Sequence, residues 1–166
     1  MSKTIQSVLG VRQGDVLFKT INKLPAGDRK KRENGTVAYG EVTGHSHTVM
    51  SADQAEVLEI NGGAYLVVNE RGISIQHDAD RIAPDLRAIV EDKTETPLRR
   101  FEAQRCLDLL PQAGAIFLHG TEDERATRPV PGRGEDRHLP VAIVPGIHEP
   151  VIQREWSPEA IRNVLD

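Results

Sequence analysis

Two short apolar runs separated by a glycine-rich turn limit what this chain can fold into. The runs cover residues 56–60 and 64–68, and between them stand Asn61, Gly62 and Gly63. Asn-Gly is the strongest short-range signal of a β-hairpin, because the favoured tight turn needs a positive φ at both central residues. The sequence therefore predicts a hairpin here.

Most of the remaining chain also has the composition of β-strands. Alternating, β-branched or aromatic residues predict further strands over residues 14–21, 36–50, 73–76, 139–144 and 148–156. Gly40 and Gly44 interrupt the second of these segments, which predicts either one bulged strand or two short ones. The 73–76 strand would end at His77, and Pro145-Gly146 would turn between the last two strands.

The alternation of residues that is typical of strands is lost between residues 81 and 137. Thr96-Pro97 is a cap and first-turn pair that predicts a helix ending before Pro111. A short strand over 115–118 and a charged, mobile loop over 121–137 follow. We predict a β core of residues 1–80 and 138–166, an α-containing insertion at 81–137, and a short C-terminal helix that begins at Ser157-Pro158. The expected fold is a mainly β barrel or sandwich, with a cupin-like barrel as one form.

Composition restricts the class of function. The 166 residues suffice for a core without disulfides, and Cys106 is the single cysteine, which we expect to be buried and inert. A net charge of −4 argues against a protein that wraps nucleic acid, although Arg29–Arg32 form a local basic run. Neither a signal peptide nor a membrane-spanning run is evident, so we expect a cytoplasmic protein with no membrane contact.

The histidine pair His45 and His47 is the most chemically suggestive feature. Residues two apart on a strand project from the same face, so both imidazoles can reach one ion. Imidazole is a common ligand of zinc, iron, manganese, nickel and copper. The pair therefore predicts a divalent transition-metal site, or, in the structural alternative, ordinary surface or core histidines.

Additional ligands must come from elsewhere in the chain. The candidates are His77, His138 and His148, with His119 as the weakest. Glu41 lies four residues before His45 and would share its face on a strand. It is the candidate carboxylate ligand or catalytic general base, or else a solvent-facing residue.

Several segments resemble one group of proteins. The segments GDVLF, YGEVTGHSH, VPG and QREWSPEAIRNVLD are similar to small, uncharacterised bacterial and phage-type β-proteins with a GHxH strand, an HxxH-like segment and a QREY-like strand. The resemblance covers about 1–80 and 138–166, and implies that the HxxH-like element is split between His77 and His138. It implies that these two histidines approach the His45 and His47 pair.

A weaker similarity is to cupins. Gly40, His45, His47, Glu56 and the segment Pro145-Gly146-Ile147-His148 follow the order of the cupin motifs, but the spacings differ. This similarity implies a histidine-lined β-barrel by analogy only.

Three functions are open at this point. In the first, His45, His47, His77 and His138 bind a metal, and an enzyme would use Glu41 as the proton carrier. In the second, the histidines are structural and the chain is a non-catalytic binding or assembly module of a phage or mobile element, with the insertion contacting a protein partner. The third is a nucleic-acid accessory protein that uses Arg29–Arg32. A homo-oligomer is a separate expectation.

Overall fold

The computed structural model describes residues 10–39, 44–156 and 161–163. The strands in these ranges are β1 (Gly10–Gln13), β2 (Val16–Ile21), β3 (Arg29–Lys31), β4 (Thr36–Tyr39), β5 (Ser46–Val49), β6 (Ala55–Ile60), β7 (Gly63–Val68), β8 (Ala115–Gly120), β9 (Val141–Ile143), β10 (Gly146–Ile152), β11 (Arg154–Trp156) and β12 (Ile161–Asn163). The helices are α1 (Ile73–Glu91), α2 (Pro97–Leu109) and α3 (Glu122–Thr127), with a 3-10 turn over Leu110–Gln112.

The larger sheet has six antiparallel strands in the order β1-β2-β10-β7-β6-β3. Its β6–β7 hairpin turns at Asn61 and Gly62, whose φ angles are 52° and 79°. Both values lie in the left-handed region that the Asn-Gly pair favours, so the predicted hairpin is confirmed. This local turn sets the register in which Ala55 faces Val68.

The second main sheet, which we call the smaller sheet, has four antiparallel strands in the order β4-β5-β8-β9, and β11 and β12 form a separate two-stranded sheet. The segment predicted as one bulged strand or two short ones is two strands, β4 and β5, which pair with each other. Every residue of β8 is buried, so both faces of this strand are covered.

The two sheets pack against each other through a continuous apolar core. Phe18 of β2 and Phe117 of β8 are fully buried, with ring centroids 5.0 Å apart. Helices α1 and α2 pack together, and they contact β8 and β9 respectively. In the described ranges neither sheet closes on itself. The fold is therefore mainly β and sandwich-like, and the barrel alternative is wrong.

The predicted strand over residues 73–76 is wrong, because these residues form the first turn of α1. Ile75, Ala79, Ile82 and Leu86 are buried at helical spacing, whereas Ile73 is 91% exposed. Four residues of alternation do not separate a strand from the start of an amphipathic helix. The helix thus begins before residue 81, the boundary predicted for the insertion.

The predicted C-terminal helix is also contradicted. Ile161–Asn163 form β12, which pairs antiparallel with β11. Ser157-Pro158 lie outside the described residues. A cap-like Ser-Pro pair is a weak signal where a neighbouring strand offers backbone hydrogen bonds to the residues that follow.

The segment 81–137 is partly built into the β-structure. The Thr96 cap is confirmed, since its side chain accepts a hydrogen bond from the Arg99 N–H at the start of α2. The predicted short strand is β8, which pairs with both β5 and β9. The stretch predicted as a loop contains α3, which begins with a capping box between Thr121 and Glu124.

Two further features involve the edges of the sheets. Pro145-Gly146 connects β9 to β10, and because these strands belong to different sheets, the predicted final hairpin is a crossover. The basic run begins on edge strand β3, where Lys31 pairs with Glu56 at 2.8 Å, and continues to Arg32, which pairs with Glu59 at 3.8 Å. Cations on an edge strand oppose unwanted pairing with another sheet.

None of the described helices is long and apolar enough to cross a membrane.

Candidate functional site

The smaller sheet places His47 beside a histidine from the predicted insertion. His47 of β5 lies directly opposite His119 of β8, and opposite residues of an antiparallel pair share one face. Both side chains are 1% exposed. Because Phe117 shares that face with His119, the two imidazoles lie between the sheets, at the end of the apolar core.

Four imidazoles form one group, which we call the histidine cluster: His45, His47, His119 and His138. The ring of His119 contacts the other three, with centroids 4.9 Å from His45, 4.6 Å from His47 and 4.6 Å from His138. The His47 and His138 rings are nearly parallel, 6.3 Å apart. His119, the weakest candidate from the sequence, is therefore at the centre of the cluster.

The β1–β2 turn brings His138 into the cluster. Gly14 in that turn has a φ of +58°, and a Cβ added there would lie 2.2 Å from His138 Nε2. The His138 ring thus rests directly on the glycine backbone. The His138 backbone N–H also donates to His119 Nδ1 at 3.1 Å, which orients the central ring.

Gln13 determines which nitrogen of His47 carries a hydrogen. The Gln13 amide nitrogen donates to the carbonyl oxygens of Phe117 and Leu139, at 3.1 and 2.8 Å. Its oxygen therefore faces His47 Nδ1, 3.0 Å away, and the ring donates to it. The remaining nitrogen, Nε2, lies 3.3 Å from Asp15 Oδ1.

A proton shared by His47 Nε2 and Asp15 Oδ1, or a cation bound to both, would stabilise this arrangement. In a neutral ring Nε2 would be an acceptor, and it would face another acceptor, the carboxylate oxygen. The contact is favourable if Nε2 holds a proton or if a cation binds both atoms. Two ligands of a tetrahedral zinc ion, each about 2.0–2.1 Å from the metal, lie about 3.3–3.4 Å apart. The observed spacing of 3.3 Å fits either arrangement.

A second carboxylate borders the cluster at His45. Glu124 Oε2 lies 3.5 Å from His45 Nε2. Hydrogen bonds from the Thr121 backbone N–H and hydroxyl hold the pKa of Glu124 below its usual value, so it is a stable anion. Arg125 of α3 donates to Ser46 Oγ at 2.7 Å, which holds this helix against β5.

The described ranges do not contain a complete, preformed metal site. No three His, Cys, Asp or Glu side chains among them are arranged to hold a metal ion. The atoms at ligand spacing come in pairs, His47 with Asp15 and His45 with Glu124. Binding of a metal would therefore require a further ligand to turn toward one of these pairs.

The structure brings some of the predicted site residues together and separates others. His45, His47 and His138 are brought together, but His77 lies on α1 with its side chain 80% exposed and 3.5 Å from Asp78. Its predicted position at a strand end is wrong. Glu41 lies outside the described residues, and its role stays a prediction.

Sequence reasoning ranked His119 last among the candidate ligands and missed Asp15. A longer strand at 115–120 would have placed His119 on the same face as Phe117, since the residues alternate. No pattern in the sequence marks Asp15, because its nearness to His47 depends on how the β1–β2 turn packs across the smaller sheet.

His148 is buried away from the histidine cluster. It is 2% exposed, its Nε2 donates to the Val144 carbonyl at 3.0 Å, and Nδ1 lies 3.3 Å from Thr20 Oγ1. Burial lowers the pKa of His148 below its usual 6.5. It is a structural histidine of the larger sheet.

We expect His148 to make the protein less stable in mild acid. The unfolded chain takes up a proton near pH 6.5, whereas the folded chain does so only at lower pH. The contribution of His148 to the free energy of unfolding is therefore fully present above about pH 6.5. Below that pH this contribution falls by at most about 1.4 kcal/mol per pH unit. Urea unfolding of wild type and His148→Gln between pH 5 and 7.5 measures the effect.

The variant should lose this part of the pH dependence. His77→Gln is the matched control, because it makes the same substitution at a histidine whose side chain is 80% exposed. Identical pH profiles for wild type and His148→Gln would contradict the assignment.

Comparison with known proteins adds one match. A family model described as a domain of unknown function, DUF8820, matches residues 12–84. This stretch contains Asp15, His45 and His47, but it ends before His119 and His138. No curated protein and no solved structure matches the chain.

Proposed function

We propose that this protein binds a divalent transition-metal ion, with His47 Nε2 and Asp15 Oδ1 as two of the ligands. The observation that carries the proposal is the buried 3.3 Å approach of these two atoms, with the other ring nitrogen held by Gln13. Metal-binding histidines usually donate their second N–H to an oxygen in this way, which fixes the ring and raises its basicity.

His138 is the proposed third ligand. Its ring lies parallel to that of His47, and it lines the same groove as Asp15. Rotation about its side-chain bonds is the movement that would bring a ring nitrogen to the metal. His119 has a supporting role, because its Nδ1 already accepts the His138 N–H.

This ligand set differs from the one predicted from sequence. Asp15 replaces His77, and His45 instead lies beside Glu124. Mixed imidazole and carboxylate ligands suit zinc, iron, manganese and nickel. If the protein is an enzyme, a coordination position open to the groove is where water or substrate would bind.

The test is metal analysis of protein purified without a histidine tag. We expect about one metal ion per chain after equilibration with Zn²⁺ and gel filtration. In His47→Gln, the affinity for Zn²⁺ should fall by at least about 100-fold. Loss of a residue that only hydrogen-bonds to a metal ligand typically lowers the affinity by about 10–100-fold, so a larger loss indicates a ligand. Inductively coupled plasma mass spectrometry and competition with a chelating dye give the stoichiometry and affinity.

Two variants separate metal binding from a simple ion pair. His77→Gln is the control and should bind metal as the wild type does. Asp15→Asn should weaken binding if Asp15 is a ligand. A metal-free wild type whose melting temperature is unchanged by Zn²⁺ or chelator would overturn the proposal, and would leave His47 and Asp15 as an imidazolium–carboxylate pair.

The other sequence hypotheses stay predictions. These are the resemblance to bacterial and phage-type proteins, a partner contact through residues 81–137, a homo-oligomer and a cytoplasmic location. The nucleic-acid hypothesis is weaker than the sequence suggested, because two cations of the basic run have carboxylate partners on β6.

A further inference from the structure

We infer that the groove beside His138 binds a small, uncharged, largely apolar molecule whose one polar group faces His138 and Asp15. The groove lies between the β1–β2 turn, residues 138–142 and α2, and has a volume of about 500 Å³. Pockets for small molecules commonly have about 300–1,000 Å³. This inference concerns a second ligand and does not depend on metal binding.

Helix α2 supplies an apolar wall. Leu98 and Phe101 line the groove, although they are 65% and 61% exposed. Ala103, Cys106 and Leu109 of the same helix are buried. Two large exposed apolar side chains beside a concave surface are a feature of binding sites, because a ligand there removes them from water.

Cys106 adds apolar surface and no reactivity to this wall. Its thiol is 2% exposed, and burial raises its pKa to about 12. The predicted inert cysteine is thus confirmed as a buried thiol, and the groove holds no nucleophile on this side.

The opposite end of the groove is polar. His138 and Asp15 line it, and Gly14, the neighbour of Asp15 in the β1–β2 turn, lies against the His138 ring. Absence of a side chain at Gly14 lets the His138 ring approach the backbone, so the imidazole is held at the groove wall. A hydroxyl, amine or amide group of a ligand would find both a carboxylate and an imidazole as hydrogen-bond partners.

The charges of the groove balance. Arg12 and Arg105 line it together with Asp15 and Glu102, two cations against two anions. Arg12 Nε donates to the Gly14 carbonyl at 2.6 Å, and Arg105 donates to the Gly10 carbonyl at 2.9 Å. These contacts hold both guanidinium groups to the backbone of the β1–β2 hairpin. A groove with apolar walls and no net charge favours a neutral ligand over an ion.

The probe for this site is N-phenyl-1-naphthylamine, a neutral aromatic amine whose fluorescence rises in apolar surroundings. We expect saturable binding to the full chain, with one probe per protein, in buffer with a chelator. Phe101→Ser and Leu98→Ser should each weaken binding about tenfold, the effect of losing about 1.4 kcal/mol of apolar contact.

Ile73→Ser is the matched control, since Ile73 is 91% exposed on α1 and does not line the groove. It should bind the probe as the wild type does. We expect all three variants to fold, because the substituted residues are exposed. Circular dichroism and the melting temperature check this.

The outcomes of the two proposals are distinguishable. Saturable probe binding in chelator supports the groove whether or not the protein takes up Zn²⁺, and Zn²⁺ uptake supports the metal site whether or not the probe binds. No saturable probe binding, or equal weakening by Ile73→Ser, would overturn the inference. Displacement of the probe only by charged competitors would also contradict a neutral ligand.

Discussion

Phe117→Ala is expected to lower the free energy of unfolding by about 3–5 kcal/mol, which is typical when a buried phenylalanine is truncated. Phe117 is fully buried, and its ring lies 5.0 Å from that of Phe18 in the other sheet. Truncation removes this contact and leaves a cavity between the sheets. Urea unfolding at pH 7, with the m-value as a check on the unfolded state, measures the loss.

The control is Phe101→Ala, in which the same atoms are deleted from a side chain that is 61% exposed. Its effect should lie within about 0.5 kcal/mol. A loss of less than about 1 kcal/mol for Phe117→Ala would contradict the packing of the two sheets through this aromatic pair.

Gly14→Ala should damage both stability and the histidine cluster. The φ of +58° strains an alanine by about 1–2 kcal/mol. The new Cβ would also lie 2.2 Å from His138 Nε2, so the ring must move away. Its other side is occupied by His119, with ring centroids 4.6 Å apart, which limits that movement. We expect a total loss of about 2–4 kcal/mol and weaker metal binding.

Gly62→Ala separates the two effects. Gly62 has a φ of +79°, and an added Cβ would meet nothing within 4 Å. It should therefore show the backbone strain alone and bind metal normally. Equal destabilisation in the two variants would mean that the His138 ring moves freely, which would contradict its fixed position on Gly14. Unchanged metal affinity in Gly14→Ala would contradict His138 as the third ligand.

The elements that sequence predicted well depend on neighbouring residues. The β6–β7 hairpin follows from Asn61 and Gly62, which tolerate positive φ, and the start of α2 follows from the Thr96 side chain and Pro97. These effects act over two to four residues. They hold whatever the rest of the chain does.

The failures arose where a local pattern was compatible with two structures. Ile73 and Ile75 alternate as in a strand, but burial of Ile75, Ala79 and Ile82 against the core belongs to a helix. Ile161–Asn163 were expected in a helix, yet they pair with Arg154–Trp156. In both cases tertiary contacts decide between alternatives of similar local energy.

The candidate site shows the same division. The sequence predicted that His45 and His47 project from one face of a strand, but His45 lies just before β5, and the two rings are linked through their shared neighbour His119. The sequence did not show that His119, Asp15 and Gln13 surround His47. That depends on the β5–β8 register and on the β1–β2 turn, whose residues are remote in sequence.

Local backbone preferences therefore determined the hairpin and the helix cap of this protein. The tertiary structure decided what lies around His47: a carboxylate at 3.3 Å, a central imidazole and a groove with an apolar wall. The physical reason is that a turn or cap is stabilised by groups within a few residues. A buried polar cluster is instead stabilised by hydrogen bonds and packing between distant segments, which exist only once both sheets have formed.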